Sequence, residues 1–158
     1  MRRLYFDTDL LDSDLRALIG ARIAEDDVFD LLGEELTFLP EDYDLRLYSK
    51  LNAISLDVFG ALPYLETQTD AEIQNHSSFS VEIEIYTKGT NKKKNNRKLQ
   101  NIIIELLQNP VQMANYKNNG LILVEVNEGD ALIEDTFRSV LRFSAICDNA
   151  VKYIYSKI

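Results

Sequence analysis

The chain has 158 residues, 46% of them apolar and 27% charged, with a formal net charge of -9. That length suits one domain able to bury a real core, and that composition excludes a disordered, collagenous or disulfide-stapled chain. The charge is unevenly placed: residues 1 to 78 hold 17 acids against 6 bases, a balance of -11, while residues 79 to 158 hold 9 against 11, a balance of +2. Acidic and basic ends of this kind invite head-to-tail contact between copies. They also serve as a solvated surface that keeps a protein soluble.

At the N-terminus, acids arrive early in Leu4-Tyr5-Phe6-Asp7-Thr8-Asp9, too early for the apolar core of a signal peptide. No apolar run approaches the roughly 18 residues of a membrane span. The expectation is a protein made and used in reducing, soluble surroundings, with no membrane partner. Leu11, Leu15, Leu18, Ile19 and Ile23 share one helical stripe, which predicts a first helix over about 12 to 24, with Asp12, Ser13 and Asp14 as its caps. A second short helix follows around Val28 to Leu32, between the acidic Glu25-Asp26-Asp27 and Gly33 as C-cap. From Glu34 to Lys50 the pattern is poor, and Pro40 followed by Glu41-Asp42-Tyr43-Asp44 reads as a loop.

Ile54, Leu56 and Val58 alternate with Ser55, Asp57 and Phe59, a strand ended by Gly60. Leu62 to Thr67 reads as a second extended piece, its Pro63 marking a strand start or an edge. Thr67 to Ser78 is polar and reads as a surface loop. Next, Phe79, Val81, Ile83 and Ile85 alternate with Ser80, Glu82, Glu84 and Tyr86, one dry face and one wet face. A basic loop from Lys88 to Lys98 leads into Leu99 to Leu107, where Leu99, Ile102, Ile103, Leu106 and Leu107 recur at helical spacing.

Past Pro110, Asn118-Asn119-Gly120 turns the chain into the nearly continuous apolar strand Leu121 to Val126. A last strand runs from about Phe137 to Cys147. Phe137, Leu141, Phe143, Ala145 and Cys147 fall on one face, and Arg138, Val140, Arg142, Ser144 and Ile146 on the other. Cys147, the single cysteine, reads there as a small core or strand residue. Val151 to Ile158 is an apolar tail of the kind that docks. The order of elements is α+β, helices against a mainly antiparallel sheet in a single domain over 1 to 158. Its parts are an N-terminal helical segment (about 12 to 33), an insertion (about 34 to 61) and a C-terminal tail (about 148 to 158).

Most catalytic chemistry lacks its required spacing. Asp7 to Asp12 has the opening acids of a calcium loop, but Leu11 stands at the fifth ligand position, Asp12 replaces the turn glycine, and Leu18 replaces the closing glutamate. His76 is the only histidine, with no Cys or second His to complete a zinc set, and it reads as a loop residue. Neither a G-x-S-x-G elbow nor a glycine-rich phosphate loop occurs. No cofactor and no metal is expected. Asp57, Glu82, Glu84 and Lys88 are the ingredients of a metal-dependent nuclease, while alternation makes the glutamates the wet face of an ordinary strand. Lys88, Lys92, Lys93, Lys94, Arg97 and Lys98 form the one basic cluster, a candidate for facing DNA or a partner protein. No aromatic residue among them could stack on bases.

Four patches resemble the tail terminator, or tail completion, proteins of long-tailed bacteriophages. Ala24 to Gly33 is similar to the end of that family's first helical segment, and Leu62-Pro63-Tyr64-Leu65 to its first extended segment. Phe79 to Tyr86 with Arg97 to Leu107 resembles its strand and long helix, and Thr136 to Phe143 its closing strand. The link between Gly33 and Leu62 and the tail after Cys147 depart from the family and leave room for another neck ring, such as a head completion or head-tail connector protein. The resemblance implies a non-enzymatic virion protein, assembled in the host cytoplasm and placed at the tail neck. Its partners would be its own copies in a ring, commonly of six, together with the tail tube protein and the head connector or stopper. Genomic DNA would pass through the lumen in transient contact. The other readings kept open are the nuclease and an adaptor that binds through its acidic half.

Overall fold

A five-stranded sheet is built from the alternating segments, and its dry face receives every helical stripe. A computed structural model describes residues 3–6, 8–33, 36–40, 42–43, 52–63, 76–109, 121–132, 135–148 and 154–157. In chain order the elements are β1 (Arg3–Phe6), α1 (Thr8–Ile23), α2 (Asp26–Leu32), β2 (Leu36–Phe38), β3 (Asn52–Pro63), β4 (His76–Lys88), α3 (Lys92–Leu107), β5 (Ile122–Asp130), β6 (Thr136–Asp148) and β7 (Ile154–Lys157). The main sheet has the order β2-β3-β4-β6-β5, with β2 parallel to β3 and every other pair antiparallel. The α+β class is therefore observed.

Register fixes which side chains share the dry face. Ile54, Leu56 and Val58 of β3 stand opposite Ile85, Ile83 and Val81 of β4, and Ile83 and Val81 stand opposite Leu141 and Phe143 of β6. Leu11, Leu15 and Ile19 of α1, Val28 and Leu32 of α2, and Leu99, Ile103 and Leu107 of α3 join these strands in one buried cluster. All three helices thus cover one side of the sheet. Removing so many branched side chains from water is the main source of stability, at roughly 1.5–3 kcal/mol for each fully buried one.

Several boundaries differ from the sequence expectation. Helix α1 begins at Thr8, so Asp12, Ser13 and Asp14 lie inside it instead of capping it. Asp9 is the acid in its first turn, where the helix dipole favours negative charge. Gly60 does not end a strand: β3 continues to Pro63, with a register shift between Phe59 and Leu62 and Gly60 at φ 69°. A bulge absorbs the extra residue, and glycine permits the left-handed backbone there. Strand β4 begins at His76, so His76, Ser77 and Ser78 are strand residues, His76 standing opposite Asp148.

The lysine run is helical as well. Helix α3 starts at Lys92, and only Gly89, Thr90 and Asn91 link it to β4. Gly89 turns the chain at φ 84°, and its carbonyl accepts the Lys92 N–H at 3.2 Å. The two ends of the chain, β1 and β7, pair antiparallel from Arg3 opposite Lys157 to Phe6 opposite Ile154. The tail expected to dock therefore contributes a strand to β1. Thr67 to Asn75, residues 44–51 and the Asn118-Asn119-Gly120 turn lie outside the described residues.

Candidate functional site

Five of the six basic residues sit on the first half of α3, and most of them are engaged by the fold. Lys92 reaches Asp135 at 3.4 Å, while its backbone carbonyl accepts the Thr87 hydroxyl at 2.6 Å. Lys93 lies 5.8 Å from the centre of the Phe137 ring, a cation–π contact. Arg97 forks onto Glu128 at 3.4 and 3.2 Å, and Lys98 donates to the Leu31 carbonyl near the C-terminal end of α2 at 3.3 Å. Lys88 ends β4, where partial burial lowers the pKa of its ammonium against the pull of Asp135. Lys94 is exposed. The six cations are therefore a strand end and a helix start, and not a loop, with Lys93, Lys94 and Arg97 facing outward.

Behind those cations lies a polar network that fixes α3 on the sheet. The Asn96 side chain is fully buried, and its amide donates to the carbonyls of Ile85 at 3.0 Å and Phe137 at 3.3 Å. Its oxygen accepts the Gln100 amide at 2.9 Å and the Ser139 hydroxyl at 2.6 Å. Gln100 passes the chain on to Glu128 at 2.7 Å. Hydrogen bonds from Arg97 and then Gln100 hold the Glu128 carboxyl below its ordinary pKa. Such a network is favourable inside a protein only when every member is satisfied.

The face of the sheet away from the helices carries the carboxylates considered for metal chemistry. Asp57 stands opposite Glu82, and Ser55 opposite Glu84. Glu82 faces Arg142 at 3.6 Å, and Arg142 also reaches Glu125 at 3.2 Å. Glu84 accepts from Arg138, from the Tyr86 hydroxyl and, at 3.2 Å, from the Tyr43 hydroxyl. Burial and then the bond to Glu84 push the Tyr86 phenol far above its ordinary pKa. Asp42, Tyr43, Ser55, Asp57, Glu82 and Glu84 line a cleft of about 330 Å³ here. The Glu82 and Glu84 carboxylates are built into cross-strand ion pairs, and among the described residues no group of three or more His, Cys, Asp and Glu side chains is placed to hold a metal ion. Asp9 and Asp12, considered for calcium, lie on helix α1, where Asp12 pairs with Arg16 at 2.6 Å.

Strand β5 forms one edge of the sheet and was not singled out from the sequence as a surface. Ile122, Val124 and Val126 are 49%, 61% and 41% exposed, and Leu132 beyond its end is fully exposed. A strand edge offers unpaired N–H and C=O groups, and apolar side chains along it make it a template for pairing. The near-continuous apolar run was the available signal. It reads equally well as a buried strand, and only the order of strands distinguishes the two.

With this geometry in view, a chain of the virion of a native gene transfer agent particle is similar in fold. The two share a TM-score of 0.54 at 14% identity, over 85% of this chain and 94% of that one. No protein-family model and no curated protein matches.

Proposed function

We propose that this chain is a structural subunit of a phage-type virion that closes into a ring, terminates the tail tube and joins the tail to the head connector. The observation that carries this reading is the fold shared with a virion chain over nearly the whole length of both. Two further features fit it. Glu82 and Glu84 on the open sheet face are occupied by arginines, which suits a scaffold better than a reaction centre. The apolar edge at β5 suits a subunit that buries surface only on assembly.

The mechanism on this reading is geometric. A heterologous contact repeated around an axis closes a ring, the ring caps the last ring of the tube, and the opposite rim meets the connector. The acidic balance of the chain lets DNA pass a lumen without tight binding, because binding gains most of its strength from cations on phosphates. The expected partners are other copies, six in the family it resembles, with the tail tube and head connector proteins.

Negative-stain microscopy of the purified chain, alone and added to tail tubes, tests ring closure. Deletion of the gene from the parent element tests the role: overlong or headless tails are expected. Tails of normal length joined to heads in the deletion mutant would sink the reading. Normal tails beside heads that lose DNA would move it to a head completion ring.

A further inference from the structure

The two edges of the main sheet differ, and their difference has a direction. On one side lies β5, with Ile122, Val124 and Val126 exposed. On the other, β2 covers β3 only from Asn52 to Ile54, and Arg16 takes the Leu56 carbonyl at 2.8 Å. From Asp57 to Pro63 that side of β3 has no strand beside it among the described residues. Phe59 is 39% exposed in that stretch.

We propose that copies of this chain join head to tail through these edges, the β5 edge of one copy against the β3 edge of the next. This rests on the ring reading above and names the surfaces that would form the ring. Strand polarity fits the occupant. Because β3 and β4, β4 and β6, and β6 and β5 are each antiparallel, β5 runs opposite to β3. Continuing the sheet in the same order sets β5 antiparallel to the β3 of the next copy, the pairing that is slightly more stable per residue.

Charge in the helix layer fits the same occupant. Beside the β5 edge, α3 exposes Lys93, Lys94 and Arg97, with Arg97 tied to Glu128 of β5 itself. Beside the β3 edge, α1 packs on β3 and brings up Asp9 and Asp12. Those acids line an open cleft with Arg16, Phe38 and Pro40, Asp12 being paired with Arg16 at 2.6 Å, so that Asp9 carries the excess acidic charge there. Edge-to-edge addition places the basic start of α3 next to the acidic start of α1 of the following copy. A second arrangement, β5 against β5 about a two-fold axis, would bring the same lysines together, and like charges disfavour it. The heterologous contact also leaves one edge free at each end until the ring closes.

Cysteine crosslinking tests this in full-length protein carrying Cys147→Ser. The pair Val124→Cys with Phe59→Cys is expected to give a ladder of covalent oligomers on mild oxidation, and either cysteine alone none. Lys93→Glu with Lys94→Glu is expected to weaken association several-fold. Crosslinking is read on the purified chain and on assembled particles. Rings that form normally but give no 59-to-124 crosslink overturn the edge contact and leave the ring reading standing. Dimers from Val124→Cys alone overturn it in favour of a two-fold contact. A chain that stays monomeric in solution and is absent as a ring from particles overturns both.

Discussion

The Ser139 hydroxyl on β6 donates a 2.6 Å hydrogen bond to the side-chain oxygen of Asn96 on α3, and both residues are fully buried. Asn96 also supplies the donors for the Ile85 and Phe137 carbonyls, so one side chain ties the helix to two neighbouring strands. Asn96→Leu fills similar space but strands those acceptors and the Ser139 and Gln100 donors. Each buried group left unpaired costs about 1–3 kcal/mol. The expected loss is several kcal/mol in urea unfolding, and a loss below about 1 kcal/mol would show that water replaces the amide.

That relationship also marks the limit of what the sequence disclosed. The alternating apolar positions of β4 and β6 were legible because a half-buried strand repeats every two residues. Leu99 to Leu107 was legible because its stripe is apolar. The helix turns before it were not, since Lys92 to Lys98 resembles a solvated loop: its lysines and arginine are good helix formers, but Asn95 and Asn96 are not. Asn96 continues the stripe of Leu99, Ile103 and Leu107, and only its polarity hid that. The edge position of β5, and the ion pairs that occupy Glu82 and Glu84, depend on strand order and lay beyond any local pattern.

Two glycines should respond to alanine with opposite signs. Gly89 sits at φ 84° and Gly20 lies within α1, and a Cβ at either would meet nothing within 4 Å. The difference is thus conformational. Gly89→Ala puts a side chain in the left-handed region and should cost about 1–2 kcal/mol. Gly20→Ala should stabilise by roughly 0.5–1 kcal/mol, by restricting the unfolded chain and favouring helix. Thermal unfolding of the two variants beside the parent reads both signs. Equal shifts would argue against the turn at Gly89.

Arg16 joins three elements that the sequence left unconnected. Its guanidinium pairs with Asp12 at 2.6 Å, donates to the carbonyls of Leu39 at 3.0 Å and Leu56 at 2.8 Å, and lies 5.4 Å from the centre of the Phe38 ring. A lysine keeps the charge but loses the planar fork that reaches several acceptors at once. Arg16→Lys is expected to lower stability by about 1–2 kcal/mol, since at least one carbonyl bond is lost. Hydrogen exchange should speed up at β2 and the start of β3 and remain unchanged at β6. Uniform acceleration would indicate global destabilisation without a local clamp.

Glu128 provides a pH dependence whose sign can be worked out. Its carboxyl is held below the ordinary value of 4.5 by hydrogen bonds from Arg97 and Gln100. A depressed folded pKa means the unfolded chain takes up the proton first, so the stabilising effect is complete above the ordinary value. It is lost as pH falls through the lower folded pKa. Stability measured from pH 6 down to about 3 should therefore fall more steeply in the parent than in Glu128→Gln. At pH 6 the variant should be the less stable of the two, with the difference shrinking in acid. A gap that stays constant across the range would mean that the carboxylate charge contributes nothing beyond the shape of its side chain.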